Sequence, residues 1–128
     1  VQLLKSLVME LPDYEFRLVG TSNDAEICSE IYKSTDSPNI YDYSGKTSLV
    51  ELCDMFQNSR VLLCNDSGAM HLANAMSTSV VALFGPTEPS MTGSVYQSTR
   101  QEITNLKISD LNDGGQAVIK TVIEAIKY

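Results

Sequence analysis

Asp66, Ser67 and Gly68 are the residues whose types and spacing most clearly suggest chemistry. They follow an apolar run at residues 61–64 and precede a segment with helical spacing of apolar residues. The start of a helix carries unpaired N–H groups and the positive end of the helix dipole, and glycine lets a ligand approach the backbone closely. His71 follows one turn later, on the same helix face as Ser67. The pattern predicts a phosphate-binding site.

Other interpretations of these residues remain open at this point. Asp66 or Ser67 can simply cap the helix, with His71 an ordinary surface histidine. A serine hydrolase would use the same residue types, but its G-x-S-x-G elbow fails here because Asn65 and Ala69 occupy the glycine positions. Asp66 and His71 alone make a poor metal site, so we expect no metal and no cofactor.

The elements that must position this site alternate between helix and strand along the chain. The apolar periodicity predicts helices at residues 4–11, 24–33, 49–56, 69–76 and 118–126, and strands at residues 16–19, 39–41, 61–64, 80–84 and 102–103. Ser48 and Glu51 fit a capping box before the third helix. The buried helix faces are predicted to contain Ile27, Cys28 and Ile31; Leu49, Leu52, Cys53 and Phe56; and Ala69, Leu72, Ala73 and Met76.

This alternation predicts an α/β fold: a Rossmann-like parallel sheet flanked by helices on both faces. Ligands in such sheets bind beyond the carboxyl ends of the strands. We therefore expect the chemistry in the loops at residues 20–24, 65–68 and 85–93.

The composition limits the partners. With 128 residues, 43% of them hydrophobic, the chain suits one globular domain, and its net charge of −7 argues against nucleic acid and anionic lipid. No apolar run is long enough to span a bilayer, and no secretory signal is visible. The cysteines, Cys28, Cys53 and Cys64, are too few and too irregularly spaced for a disulfide framework or zinc site, so we expect buried thiols.

The segment at residues 62–87 resembles the heptosyltransferases of glycosyltransferase family 9. That family carries a pattern close to D-[TS]-G-x-x-H-L-A-x-A, an apolar strand, and then F-G-P-T-x-P. The chain has DSGAMHLANA at residues 66–75, VVAL at residues 80–83 and FGPTEP at residues 84–89. The sequence GKTSL at residues 45–49 and the turn from Gly20 to Asp24 also look like the family.

The resemblance implies a role for each matching position. Ser67, Gly68 and the following amides, beginning with Ala69, would hold the diphosphate of an ADP-heptose donor. Asp66 would order that loop, and His71 would contact the phosphate or the sugar. The remaining donor-binding positions are Asp24 at the ribose hydroxyls, Ser48 on the adenine side, and Gly85 and Thr87 beside the donor sugar.

The same resemblance predicts the wider organisation. Residues 1–128 would form a single nucleotide-sugar-binding Rossmann-like domain, the C-terminal half of a GT-B glycosyltransferase. The chain starts with Val1. The resemblance implies that it would lack the family's first strand, its lysine-bearing loop and the N-terminal acceptor domain with the catalytic base. The fragment alone would therefore be inactive, with no catalytic residue of its own.

For the complete protein, the family implies inverting transfer of heptose to a lipopolysaccharide inner-core acceptor. It would work in the cytoplasm, with contact to the inner membrane implied by the lipid-linked acceptor. The alternatives are a related glycosyltransferase that uses another nucleotide sugar and a non-catalytic Rossmann-type binding module.

Overall fold

The computed structural model of the chain describes residues 1–65, 68–84, 103–107 and 113–127. Helices and strands alternate along it, and every strand pairing among these residues is parallel, as predicted. The elements are α1 Gln2–Glu10, β1 Phe16–Leu18, α2 Ala25–Thr35, β2 Ile40–Asp42, α3 Leu49–Gln57, β3 Val61–Asn65, α4 Gly68–Ala75, β4 Ser79–Phe84, β5 Ile103–Lys107 and α5 Gln116–Ile126. A 3₁₀ turn, Ser22–Asp24, leads into α2.

The first of two compact units comprises residues Val1–Leu49. Its strands β1 and β2 pair with Phe16 opposite Ile40 and Leu18 opposite Asp42. Helix α2 packs against β2 and contacts α1, and the side chains of Leu7, Cys28 and Ile40 are buried. Because the pairing is parallel, both strands deliver their carboxyl ends, and the loops that follow, to one edge.

The second unit, residues Val50–Tyr128, contains a parallel sheet in the order β3-β4-β5. Val80, Val81 and Ala82 on the central strand β4 are all fully buried. Since successive side chains on a strand point to opposite faces, both faces of β4 are covered. Helices α4 and α5 both pack on β4, which confirms the predicted sheet covered by helices.

Local signals explain several element ends. Helix α1 ends at Glu10, two residues before Pro12, whose ring and missing N–H cannot continue a helix. Helix α3 begins at Leu49, directly after Ser48, where the capping pattern predicted its start. In the second unit, the buried hydroxyl of Thr78 donates to the carbonyl oxygen of Phe56 at 2.6 Å, tying the end of α3 to the start of β4.

Two predicted core positions are wrong. Ile27 is 58% exposed, because the buried face of α2 centres on Cys28 and Thr35, about 100° around the helix from Ile27. Leu49 is 69% exposed, because burial along α3 is greatest near its far end, at Phe56. The apolar spacing predicted the correct helices, but it assigned too wide a face of each helix to the core.

The inward face of α4 also differs from the prediction. Met70, Ala73 and Asn74 are buried, whereas Ala69 and Leu72 are only half-buried. The two candidate faces are related by a one-residue shift, a rotation of about 100°. The prediction preferred the face without asparagine, and the structure buries Asn74 at 3% exposure.

Two further outcomes concern β5 and the cysteines. Strand β5, Ile103–Lys107, overlaps the two-residue strand predicted at residues 102–103 and extends four residues beyond it; residue 102 lies outside the described residues. All three cysteines lie within the described residues and form no disulfide; Cys28 is buried, whereas Cys53 and Cys64 are only partly so. Among the described helices, none is long and apolar enough to cross a membrane.

Candidate functional site

The loops after β1 and β2 are joined by backbone hydrogen bonds. The N–H of Tyr43 donates to the carbonyl oxygen of Leu18, and the N–H of Gly45 donates to that of Gly20, each at 2.9 Å. The strand pairing therefore continues past the last residues of both strands. It holds the first predicted ligand loop, residues 20–24, beside the loop that contains Gly45.

Asp24 is fixed within this loop by Thr21. The Oδ2 atom of Asp24 accepts a hydrogen bond from the backbone N–H of Thr21 at 2.8 Å and another from the Thr21 hydroxyl at 2.9 Å. The N–H of Asp24 donates back to the carbonyl oxygen of Thr21 at 3.0 Å. Among the described residues, none donates a hydrogen bond to the other carboxylate oxygen of Asp24, Oδ1, and Asp24 is half-buried.

Glycine is required at two places in these loops. A Cβ atom on Gly20 would lie 2.8 Å from the Cβ of Asp24 and 2.9 Å from its Oδ2, closer than such atoms approach in proteins. Gly45 has a φ of +67°, which L side chains rarely adopt, and a Cβ there would lie 3.1 Å from the backbone Cα of Ser22. Gly20 therefore allows the backbone to approach the Asp24 side chain within its own loop, and Gly45 allows the two loops to pack closely.

A polar cluster lies at the carboxyl end of β2. Asp42 Oδ1 accepts hydrogen bonds from the buried Ser44, from its hydroxyl at 2.6 Å and from its N–H at 3.0 Å. The Ser44 hydroxyl bond holds the pKa of the Asp42 carboxyl below its ordinary value. Burial raises the pKa of the Cys28 thiol on α2, an effect that a hydrogen bond with Ser44 partly offsets. This cluster attaches α2 to the end of β2.

Ser48, predicted on the adenine side, is exposed in the same unit, next to the exposed Leu49. Between this pair and β2, the ammonium group of Lys46 donates to the carbonyl oxygen of Asp42 at 3.0 Å. The first unit thus contains two of the predicted donor-binding residues, Asp24 and Ser48, in segments that follow β1 and β2.

The second unit positions the start of α4 directly after β3. Strand β3 ends at Asn65 and α4 begins at Gly68, which is exposed and has no described atom within 4 Å of a Cβ built on it. Ala69 is half-buried, and His71 is exposed. The side chain of His71 is therefore accessible to a ligand.

Four predicted site residues, Asp66, Ser67, Gly85 and Thr87, lie outside the described residues. Sequence reasoning missed Thr21, although the Thr-x-x-Asp spacing of residues 21–24 is itself a capping-box signal. It also missed the pair Asp42 and Ser44, whose contact depends on the path of the chain after β2. No group of three or more His, Cys, Asp or Glu side chains within the described ranges is placed to hold a metal ion.

Comparison with known proteins decides the family. Residues 6–114, most of the chain, match the model of glycosyltransferase family 9 (heptosyltransferase). The chain belongs to glycosyltransferase family 9. This confirms the resemblance found in the sequence at residues 62–87.

Curated relatives agree with this family. The chain is 34% identical over 82 residues to lipooligosaccharide heptosyltransferase 2 of Haemophilus influenzae, covering 62% of this chain and 24% of the relative. It is 30% identical over 102 residues to lipopolysaccharide heptosyltransferase 2 of Salmonella typhimurium, covering 77% of this chain and 29% of the relative. The chain thus spans less than a third of these two relatives.

Solved structures show the same fold. The chain matches E. coli ADP-heptose LPS heptosyltransferase II with a TM-score of 0.80 at 24% identity, over 98% of this chain and 40% of that one. It matches E. coli heptosyltransferase WaaC, solved with ADP, with a TM-score of 0.72 at 19% identity, over 95% of this chain and 38% of that one. The fold of this family 9 chain is therefore that of part of a GT-B heptosyltransferase.

Proposed function

We propose that this chain is the donor-binding, C-terminal domain of a heptosyltransferase, a single nucleotide-sugar-binding domain within a longer protein. It binds an ADP-linked heptose, which the complete enzyme transfers with inversion to a lipopolysaccharide inner-core acceptor. The observation that carries this proposal is the family 9 match over residues 6–114, a range that includes all three loops predicted to bind the donor.

In this proposal the segments that follow β1 and β2 bind the nucleoside. Asp24, held by Thr21 through Oδ2, accepts hydrogen bonds from the ribose hydroxyls at Oδ1. A carboxylate is the usual partner of ribose hydroxyls in nucleotide-binding α/β folds. Ser48 and the exposed Leu49 line the adenine side, where an apolar side chain can cover one face of the base.

The start of α4 binds the diphosphate. The N–H groups of Ser67, Gly68 and Ala69 at the start of α4 donate to its oxygens, and the helix dipole favours the negative charge. Backbone donors suit a chain whose net charge is −7, because they supply positive potential without basic side chains. His71 donates to the phosphate or the sugar from the same end of the helix.

The remaining assignments concern the sugar and the reaction. Asp66 orders the phosphate loop, and Gly85 and Thr87 lie beside the heptose. A base from another part of the protein removes the proton of an acceptor hydroxyl, whose oxygen then attacks the anomeric carbon. The bond from that carbon to the diphosphate breaks, and ADP leaves with the bonding electrons. The helix N-terminus stabilises the charge that develops on the leaving phosphate.

The test is a heptose-transfer assay with the complete protein that contains this chain, an ADP-heptose donor and an inner-core lipid acceptor. Asp24→Ala and His71→Ala should each lower kcat/KM for the donor by about tenfold, since each removes a hydrogen bond to a charged or hydroxyl group. Lys120→Ala, an exposed change on α5, is the control and should leave activity unchanged. Full activity in both site variants would overturn the proposal.

A further inference from the structure

Thr21 holds the carboxylate of Asp24 in place through two hydrogen bonds. It was not among the predicted site residues, yet it supplies both hydrogen bonds that Asp24 Oδ2 accepts, at 2.8 Å from the backbone and 2.9 Å from the hydroxyl. A carboxylate held at one oxygen by a backbone and a side-chain donor of the same residue has little freedom to rotate. Its second oxygen is thereby held in a fixed direction.

The surrounding backbone makes this arrangement rigid. Gly20 approaches Asp24 so closely that any Cβ there would collide with the carboxylate side chain. The N–H of Gly45 bonds the carbonyl oxygen of Gly20 at 2.9 Å, and Gly45 packs on the backbone of Ser22. Thr21 thus lies in a loop that is supported on both sides and acts as a fixed donor rather than as a mobile surface residue.

We propose that Thr21 is a positioning residue for the donor nucleotide: it holds Asp24 at Oδ2 so that Oδ1 accepts hydrogen bonds from the ribose hydroxyls. The inference rests on the proposed function, because it assumes that Asp24 binds the ribose. It extends that function by assigning a role to a residue that was not among the predicted donor-binding positions. Thr21 acts through Asp24 and does not itself contact the nucleotide.

The experiment measures ADP binding to the complete protein by isothermal titration calorimetry, with 2′,3′-dideoxy-ADP as the probe that lacks the ribose hydroxyls. Thr21→Val keeps the branched shape and loses the hydroxyl donor, and Thr21→Ser is the matched control that restores it. Thr21→Val should weaken ADP binding by about fivefold, the effect of one charge-assisted hydrogen bond acting indirectly. Thr21→Ser should stay within about twofold of the wild type.

Two comparisons separate positioning from a merely structural role. The Thr21→Val loss should vanish for dideoxy-ADP, and it should vanish in the Asp24→Ala background, because Thr21 then has nothing to position. An equal loss for both nucleotides, or a loss that persists without Asp24, would overturn the proposal. Thr21→Ala gives the same readouts if Thr21→Val melts below the assay temperature.

The outcomes also distinguish this inference from the function on which it rests. If Asp24→Ala binds ADP as tightly as the wild type, the ribose assignment fails and the positioning role fails with it. If Asp24→Ala weakens ADP binding while Thr21→Val does not, only the positioning role of Thr21 is overturned.

Discussion

Gly68 offers a prediction in which stability and donor binding change in opposite directions. It is the first residue of α4, it is exposed, and a Cβ built on it meets no described atom within 4 Å. Its φ lies outside the positive range that disfavours side chains. Gly68→Ala therefore adds no clash with the described residues and lowers the entropy cost of fixing the helix. We expect the free energy of unfolding to rise by about 0.5 kcal/mol and Tm to rise by about 2 °C.

The same methyl group should impair donor binding. If the amides at the start of α4 hold the diphosphate, a Cβ on Gly68 prevents the phosphate from approaching the backbone. Loss of one hydrogen bond to a charged group costs about 1.5–3 kcal/mol, which corresponds to an increase in Kd for ADP of at least about tenfold. If Gly68→Ala is more stable than the wild type but binds ADP more weakly, glycine at this position serves ligand binding and not stability.

Isothermal titration calorimetry with ADP, together with thermal melting, measures both effects. Gly114→Ala is the matched control, since Gly114 also has open space around it but a φ of +78°. That change should lower stability by about 1 kcal/mol and leave the Kd for ADP unchanged. An unchanged ADP affinity in Gly68→Ala would refute the placement of the diphosphate at this helix.

The remaining predictions concern stability. Gly45→Ala should cost about 2 kcal/mol in urea unfolding, from the positive φ and the 3.1 Å backbone contact, and a cost below that of Gly114→Ala would contradict the packing described. Ser44→Ala should cost about 1–2 kcal/mol, because it removes a partly buried hydrogen bond to a carboxylate. Since that bond lowers the pKa of Asp42, its stabilisation is complete above the ordinary value of 3.8 and is lost as the pH falls through the lower folded-state value. Ser44→Ala should therefore reduce the fall in the free energy of unfolding as the pH is lowered below about 4. An unchanged pH dependence would count against the Ser44 hydrogen bond as the cause of the lowered pKa of Asp42. Thr78→Val should cost about 1–2 kcal/mol by removing the 2.6 Å bond to the carbonyl oxygen of Phe56, and equal urea midpoints for the variant and the wild type would rule this out.

Much of the fold could be predicted from the sequence because local signals agree with the tertiary structure. The apolar run at β4 marks a strand buried on both faces, and Pro12 and Ser48 mark a helix end and a helix start. The short strands β1 and β2 were also located to within one or two residues. These features depend on the residues within each element.

The errors in the predicted core arise where contacts between helices and strands decide which face of a helix is buried. The periodicity of α4 fits two neighbouring faces, and packing on β3 and β4 selects the one that contains Asn74. Likewise, the exposure of Ile27 depends on which part of α2 meets β2. Neither outcome is encoded in the spacing alone, because both faces satisfy the helical period.

The candidate site was predicted in part for the same reason. The loop at residues 20–24 could be predicted from its place after a strand, and Asp24 from the resemblance to family 9, whereas the attachment of Asp24 to Thr21 required the geometry of the loop. The positive φ of Gly45 and the contact between Ser44 and Asp42 likewise depend on how the chain turns after β2. The binding roles of all the predicted site residues, those within the described residues as well as Asp66, Ser67, Gly85 and Thr87, remain predictions.

The most direct test of the central claim is a titration of ADP, UDP and GDP into the complete protein, followed by amide NMR shifts. If this family 9 chain is the donor domain for an ADP-sugar, ADP alone should shift the amides of Ser67, Gly68 and Asp24, and Asp66→Asn and His71→Ala should weaken the response. A preference for UDP or GDP would contradict the ADP-heptose assignment. Saturating ADP that shifts none of these amides would contradict the donor site itself.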